Sequence, residues 1–237
     1  MASGFIDSHL HMTDIGFGDG YADIVDANML FSCTAEYSEW NRLMDIAGKD
    51  AGIIPFYGIH PWYVGDSNDV IESLEPILES DVRACVGEIG LDAMHLNMKE
   101  QMSLFINQLQ LANKYDRPVA IHMVRTEKDV LDAIRSVHVG RSILHSFSGP
   151  INYIRSFSDA GCYFSISPRI LSKSQDKIRS ILESIPFDRL LIETDAPNCY
   201  RYCSTMSEHI SRLSEIMSVD PQNLVDITSE NAKRIIE

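Results

Sequence analysis

The stretch Phe5-Ile6-Asp7-Ser8-His9-Leu10-His11 is a short apolar run that ends in two histidines. Comparable apolar runs end at Glu88, His122, His145 and Asp195. Longer amphipathic stretches separate the runs, which is the pattern of successive strand–helix units. Because parallel strands in such proteins all point the same way, residues at their carboxyl ends gather on one face. The pattern therefore predicts a single site built from distant parts of the chain.

Eight runs of this kind are predicted to be strands. They lie near residues 4–11, 28–33, 53–58, 84–89, 119–122, 142–145, 162–166 and 189–193. Eight strands alternating with helices in a chain of 237 residues indicate an α/β protein, a (β/α)8 TIM barrel. An open, doubly wound sheet is the alternative, because one strand more or fewer would suit that fold. We expect residues 1–237 to form a single domain.

Between most of the strands, apolar residues recur three and four positions apart, as they do on one face of a helix. The predicted helices cover residues 69–80, 97–116, 126–137, 206–217 and 230–236. Ser229 is the predicted N-cap of the last helix, and His138 and His209 are predicted to be surface residues. Only about sixteen residues separate His11 from the second strand, so we expect a shortened first crossover.

The composition argues against several classes of protein. Apolar residues make up 45% of the chain, which is enough for a large buried core. No stretch is long and apolar enough to cross a membrane, and no signal segment precedes the first strand, so we expect a cytoplasmic protein. The five cysteines are scattered and odd in number, which does not suit a disulfide framework. The net charge of −14 argues against tight, non-specific binding to a polyanion.

Histidines at the ends of strands suit divalent ions that support hydrolysis. His9 and His11 lie on one face of a strand, because side chains alternate along it. His122 and His145 each close a strand, and their equivalent positions favour metal binding. The alternative for each histidine is a packed imidazole that serves only the structure.

Carboxylates complete the predicted set of ligands. Glu88 ends a Val/Ile run, where burial would be costly without a cation or several donors, and its two oxygens can each meet one ion. Asp195 suits a carboxylate that binds an ion and takes the proton of its water, with a turn aspartate before Ala-Pro as the alternative. Asp92 either supports a ligand from behind or caps a helix.

Five motifs then occur in order along the chain. They are Ile6-Asp7-Ser8-His9-Leu10-His11, Gly58-Ile59-His60-Pro61, Val86-Gly87-Glu88-Ile89-Gly90-Leu91-Asp92, His145-Ser146-Phe147-Ser148-Gly149 and Glu193-Thr194-Asp195-Ala196-Pro197. Together they resemble the TatD family of metal-dependent deoxyribonucleases, which belongs to the amidohydrolase-type barrels. The resemblance extends from about residue 4 to the family's closing helix, at Thr228-Ser229-Glu230-Asn231-Ala232.

The resemblance implies a centre with two divalent metal ions, which could be zinc, manganese, magnesium or nickel. The implied ligands are His9, His11 and Asp195 for one ion, His122 and His145 for the other, and Glu88 as the bridge between them. Glu88 and Asp195 are the implied catalytic residues, with Asp195 as the general base.

Four further residues are predicted to bind substrate: His60, Arg125, Ser146 and Gly149. His60 would contact substrate or support a ligand, with a packed core imidazole as the alternative. Arg125 is the candidate for binding phosphate. The turn from Ser146 to Gly149 has small side chains, so its backbone N–H groups could meet an anionic oxygen.

The chain departs from the family pattern around the site while keeping the implied ligands. Arg125 lies three residues after His122, whereas the family tends to place an arginine two residues after this histidine. The tract Ala93-Met94-His95-Leu96-Asn97 replaces the aromatic residues that are common after Gly-Leu-Asp. The first crossover is also shorter than is usual. Because these departures leave the implied metal ligands unchanged, we expect them to affect substrate preference and not metal binding.

The predicted function is a divalent-metal-dependent hydrolase that cleaves phosphodiester bonds of DNA. It would act as an exonuclease on single-stranded or frayed ends, through a water activated by two metal ions. The alternative is a small-molecule ester, lactone or amide hydrolase with the same metal centre, which the acidic charge favours. Retention of all six ligands argues against a non-catalytic relic. The expected partners are DNA ends or a phosphorylated small substrate, with no membrane and no obligate protein partner.

Overall fold

The computed structural model of the protein describes residues 4–14, 27–66, 70–199, 201–203 and 205–237. The strands are β1 (Ile6–Leu10), β2 (Met29–Cys33), β3 (Ile53–Tyr57), β4 (Cys85–Asp92), β5 (Val119–Val124), β6 (Ser142–Leu144), β7 (Cys162–Ile166) and β8 (Leu190–Ile192). Each pairs in parallel with the next, in the order β1 to β8. All eight predicted strands are therefore confirmed. The predicted short first crossover falls largely on residues 15–26, outside the described residues.

Hydrogen bonds between β8 and β1 bring the first and last strands together. The backbone N–H of Asp195 donates to the carbonyl of His9 at 3.0 Å, and that of His11 donates to the carbonyl of Ala196 at 2.8 Å. Ser8 adds a bond from its hydroxyl to the carbonyl of Ile192 at 3.0 Å. The sheet thus curls into the predicted barrel, and the open sheet is excluded.

Helices cover the outside of the sheet. Those of the described residues are α1 (Trp40–Ala47), α2 (Val70–Ser80), α3 (Met98–Lys114), α4 (Glu127–Val137), α5 (Ile154–Asp159), α6 (Gln175–Ser184), α7 (Met206–Met217) and α8 (Pro221–Ile236). Short 3-10 turns at Pro61–Asp66 and Pro168–Ser172 follow β3 and β7. Within these residues, none of the helices has the length and apolar character needed to span a membrane.

The predicted start of the last helix, with Ser229 as N-cap, is wrong. The helix begins at Pro221, and Asp220 is its N-cap, accepting from the backbone N–H groups of Gln222 and Asn223. An aspartate followed by proline is a favoured helix start, because the carboxylate satisfies free N–H groups and proline needs no N–H of its own. Ser229 lies buried in the middle of this helix.

One buried cluster takes at least one residue from every strand, including Ala120, Ile143 and Leu191, and Ala232 and Ile235 of α8 pack against it. Because side chains alternate along a strand, the residues two positions further on point the same way. These residues are His122, His145 and Glu193. The packed interior of the barrel therefore continues into a polar layer at the carboxyl ends of the strands.

Glycine at position 90 allows β4 to lie close to β5. Gly90 has a φ of +147°, and a Cβ there would lie 2.0 Å from the carbonyl oxygen of His122. Only glycine avoids this clash in that backbone conformation. The glycine of the Glu88–Asp92 segment thus sets the spacing between two strands that carry site residues.

The prediction that His209 is a surface residue is wrong, whereas His138 is exposed as predicted. His209 is fully buried, on the face of α7 that also carries Ile210 and Leu213. Its Nε2 donates to the carbonyl oxygen of Ile166 at 2.9 Å, which ties α7 to the end of β7. Burial lowers the pKa of His209 from 6.5 to about 4.

We expect His209 to make the protein sensitive to mild acid. The neutral ring is favoured in the folded state, so its contribution is complete above pH 6.5 and is lost as the pH falls towards 4. At pH 5 the loss in free energy of unfolding is about 2 kcal/mol. Urea unfolding at pH 7.5 and 5.0 measures it, with His209→Gln as the control that donates without titrating. Equal pH dependence in both proteins would contradict the prediction.

Candidate metal centre

Glu88 of β4 lies at the centre of the site, and five imidazoles surround its buried carboxylate. They belong to His9, His11, His60, His122 and His145. On one side, the Oε2 atom lies 3.4 Å from Nε2 of His9 and 3.3 Å from Nε2 of His11. These two Nε2 atoms are 3.3 Å apart. Cys33 lies behind them, with Sγ 3.4 Å from Nδ1 of His9.

The Oε1 atom of Glu88 faces the other histidines. It lies 2.9 Å from Nδ1 of His122, 3.1 Å from Nε2 of His145 and 3.4 Å from Nε2 of His60. Asp92 supports His122 from behind, with Oδ2 3.2 Å from its Nε2. Asp92 was predicted either to support a ligand or to cap a helix. The structure shows the first kind of contact, with the candidate ligand His122.

Glu193 holds His145 in place. Its Oε1 atom lies 3.2 Å from Nδ1 of His145 and accepts from the backbone N–H of Ser146 at 2.7 Å. A carboxylate behind an imidazole orients the ring and raises its basicity, as is usual for histidines that bind metals. Glu193 was not among the predicted site residues, although it lies two residues before Asp195.

Asp195 follows β8 and is buried at the same rim. Its Oδ1 lies 3.9 Å from Nε2 of His11 and accepts from Nδ2 of Asn198 at 3.2 Å. Its Oδ2 lies 3.6 Å from a guanidinium nitrogen of Arg169 and accepts from the thiol of Cys199 at 3.2 Å. Asp195 thus lies between the histidines and a cation of the cavity wall.

The pKa values of these groups reflect burial and close opposite charges. Burial alone would raise the pKa of Glu88, but its histidine neighbours, His145 and His60 foremost, hold it well below its ordinary value. Burial would lower the pKa of His145, but nearby carboxylates raise it well above the usual range. Burial and His145 lower the pKa of His9. Asp195 has a lowered pKa despite its burial, because His145 and His9 lie close. Both carboxylates are therefore ionised at neutral pH.

The donor set fits divalent cations. Three groups of side chains bring ligand atoms within 4.8 Å of one another: His9 with His145 and Asp195, His9 with His11 and Glu88, and His60 with Glu88 and His122. Imidazole nitrogens and carboxylate oxygens are the ligands of zinc and similar ions. The structure brings all six predicted ligands together. It also places His60 beside the Oε1 atom of Glu88.

A cavity of about 330 Å³ opens over this cluster. Besides ligand candidates, its lining includes Trp62, Tyr63, Arg169, Asn198 and Arg201. These residues were not predicted from the sequence, because they lie in turns and loops after β3, β7 and β8, where no periodicity marks them. The available signal was their position shortly after strand-end motifs, as Trp62 and Tyr63 follow His60-Pro61. Two arginines of the wall place cationic groups beside the carboxylates of Asp14, Glu88 and Asp195 in the same lining.

The remaining predicted substrate residues lie around the rim. Arg125 is exposed directly after β5 and is not among the described residues that line the cavity. The backbone N–H of Ser146 donates to Glu193, and that of Phe147 donates to Ser165 at 2.9 Å. Gly149 lines a separate depression of the surface. These two N–H groups of the turn are therefore already paired within the protein.

A parallel eight-stranded barrel with imidazoles and carboxylates at the carboxyl ends of its strands defines a class, the metal-dependent hydrolase barrels. Among the families of this class, the model described as TatD-related DNase matches residues 6–237 of the chain. The chain belongs to this family of metal-dependent hydrolases, which confirms the resemblance seen in the sequence.

Relatives and solved structures agree with this assignment. The chain is 24% identical to human deoxyribonuclease TATDN3 over 98% of its own length and 94% of that protein. It is also 24% identical to the metal-dependent hydrolase YcfH of Escherichia coli K12, over 97% and 94% of the two chains. The crystal structure of YjjV, a TatD homologue from the same bacterium, matches with a TM-score of 0.87 at 22% identity, covering 99% and 98%. The fold is thus that of the TatD barrels.

Proposed function

We propose that this protein is a deoxyribonuclease that hydrolyses phosphodiester bonds with the help of two divalent ions. The observation that carries the proposal is the division of histidines between the two oxygens of Glu88. His9 and His11 face Oε2, whereas His122, His145 and His60 face Oε1. A carboxylate with imidazoles beside each of its two oxygens would suit two divalent ions, one held on each side of Glu88.

Asp195 would complete the first group of ligands. Ions held by these residues would supply activation of a water molecule and neutralisation of the scissile phosphate. Asp195 is ionised and lies at the edge of the first pair of imidazoles, so it can accept the proton of the attacking water. Glu193 orients His145 through their contact at 3.2 Å. Asp92 orients His122 in the same manner.

DNA is the proposed substrate because the family is that of TatD-related DNases and one relative is named a deoxyribonuclease. The size of the cavity, about 330 Å³, favours a single strand or a frayed end over an intact duplex. With a net charge of −14, the protein would bind phosphate through local cations alone. Arg169 and Arg201 are such cations on the cavity wall. We further propose action on strand ends and a cytoplasmic location.

A small-molecule esterase, lactonase or amidase with the same centre is the second candidate. The strongly acidic chain and the small cavity favour it. Activity on a single-stranded oligonucleotide, an aryl phosphodiester and an aryl ester, each with zinc, manganese, magnesium or nickel, separates the two. We expect the oligonucleotide to be the best substrate. A preference for the aryl ester would overturn it in favour of the second candidate.

Arg169→Ala is expected to reduce kcat/KM for phosphodiesters roughly 10- to 100-fold, the range for loss of a hydrogen bond to a charged group. Arg169 lies 3.6 Å from Oδ2 of Asp195 on the cavity wall. Arg125 lies on the rim outside the cavity, so Arg125→Ala should slow cleavage of an oligonucleotide more than that of a dinucleotide. Thermal stability and metal content should be unchanged in Arg125→Ala, because Arg125 is exposed.

Steady-state rates on a dinucleotide, a longer oligonucleotide and an aryl ester test this pair of variants. Equal losses on the aryl ester and on the phosphodiesters would contradict a phosphate-binding role for either arginine.

A further inference from the structure

The turn after β3 places two aromatic rings at the mouth of the cavity. Trp62 is 52% exposed and Tyr63 is 38% exposed, and both line the cavity. The other tryptophan, Trp40, is buried. Ligand-binding cavities are commonly lined by aromatic side chains, which makes Trp62 a candidate for substrate contact.

Trp62 is held in position from several sides. Its Nε1 donates to Oδ2 of Asp92 at 2.7 Å, and its backbone N–H donates to Nδ1 of His60 at 3.2 Å. The exposed His95 stacks on the indole, with ring centroids 4.5 Å apart and an interplanar angle of 22°. The ring is therefore ordered by the protein's own contacts, so a ligand that meets it loses little additional conformational freedom.

The indole lies next to the candidate ligands. Its ring centroid is 4.8 Å from that of His60 and 6.2 Å from that of His122. A phosphate bound at the cluster would thus have a flat aromatic surface within the reach of one nucleoside. The cavity wall also carries the guanidinium of Arg169, which lies beside Asp195. The cavity lining therefore includes both a cation and a flat aromatic ring.

We propose that Trp62 is the stacking surface for the base of the nucleotide whose phosphate lies at the metal centre. The proposal rests on the proposed function and adds to it how the substrate is selected and oriented. Aromatic side chains bind bases of single strands by stacking, which is tolerant of sequence because every base has a π face. A base within a duplex is stacked and paired already, so this surface selects unpaired ends.

The indole of Trp62 lies next to the tract 93–97, which follows Gly-Leu-Asp and lacks the aromatic residues that are common there in the family. The tract 93–97 supplies His95 alone as a ring. Trp62 comes from the turn after the neighbouring strand β3 and stacks against His95, so the two loops meet at the indole that lines the cavity.

The test compares Trp62→Leu with Trp62→Phe on two oligonucleotides, one with a normal terminal nucleotide and one with a tetrahydrofuran abasic residue in its place. Both variants lose the hydrogen bond to Asp92, but only phenylalanine keeps a flat ring. We expect the preference for the base-bearing substrate, as a ratio of kcat/KM values, to fall roughly 10- to 100-fold in Trp62→Leu. Trp62→Phe should retain most of this preference. Equal ratios in the two variants, or a wild type without preference, would overturn the proposal.

A binding measurement keeps this test separate from the question of DNA cleavage. Thymidine 5′-monophosphate should quench the fluorescence of Trp62 in the metal-loaded protein, and 2-deoxyribose 5-phosphate should not. In Trp62→Phe only the buried Trp40 remains to report, and the quenching should disappear. Base-dependent quenching without phosphodiester hydrolysis would support the stacking surface and reject the nuclease. Hydrolysis of DNA without such quenching would reject the stacking surface alone.

Discussion

Asp195→Asn is expected to lose at least about 100-fold in turnover while keeping its fold and much of its metal. Asparagine has the size of aspartate and retains one coordinating oxygen, but it cannot accept the proton of the attacking water. The lowered pKa of Asp195, held down by His145 and His9 against the effect of burial, keeps the wild-type group ionised and ready to act as the base.

Metal analysis and single-turnover rates at several pH values measure this effect. Asp132→Asn is a matched control, because Asp132 is an exposed residue of α4 that pairs with Lys128 four residues earlier. Exposed pairs of this kind contribute little to stability. If Asp195→Asn turns over near the wild-type rate with its metal present, another group must be the base.

Glu88→Gln is expected to reduce bound metal from two ions per chain to one or none, and to lower turnover by more than about 100-fold. Groups that merely orient a ligand already contribute 10- to 100-fold, and a bridging ligand should contribute more. Glutamine offers one oxygen in place of two, and its amide N–H groups would meet imidazoles on the other side. Loss of the negative charge also leaves five neighbouring imidazoles without their shared carboxylate.

Metal-to-protein ratios under saturating metal, measured for the wild type and for Glu88→Gln, test whether Glu88 bridges two ions. Glu79→Gln at the end of the exposed face of α2 is the control for the loss of one negative charge. One ion per chain in the wild type, still bound in Glu88→Gln, would show that Glu88 is not a bridge.

The sequence alone predicted the strands, the barrel and the rim that carries the site. These features depend on local patterns, because strand periodicity and the residue that ends each strand can be read without knowing the neighbours. The placement of His122, His145 and Asp195 on one rim then followed from the direction of parallel strands. Their roles as ligands, like the single domain, stay predictions.

Only the tertiary structure decided which other residues meet at this rim. Glu193, which follows β8, contacts His145, which follows β6, although β7 lies between the two strands. Trp62 reaches Asp92 from a turn that no periodicity in the sequence predicts. His209 has the sequence context of a surface helix, yet α7 turns it towards the end of β7. The pairing of a side chain depends on the path of loops and on helix rotation, which neighbouring residues in the sequence do not determine. The strand ends thus follow from the sequence, whereas the walls of the cavity follow from the packed fold.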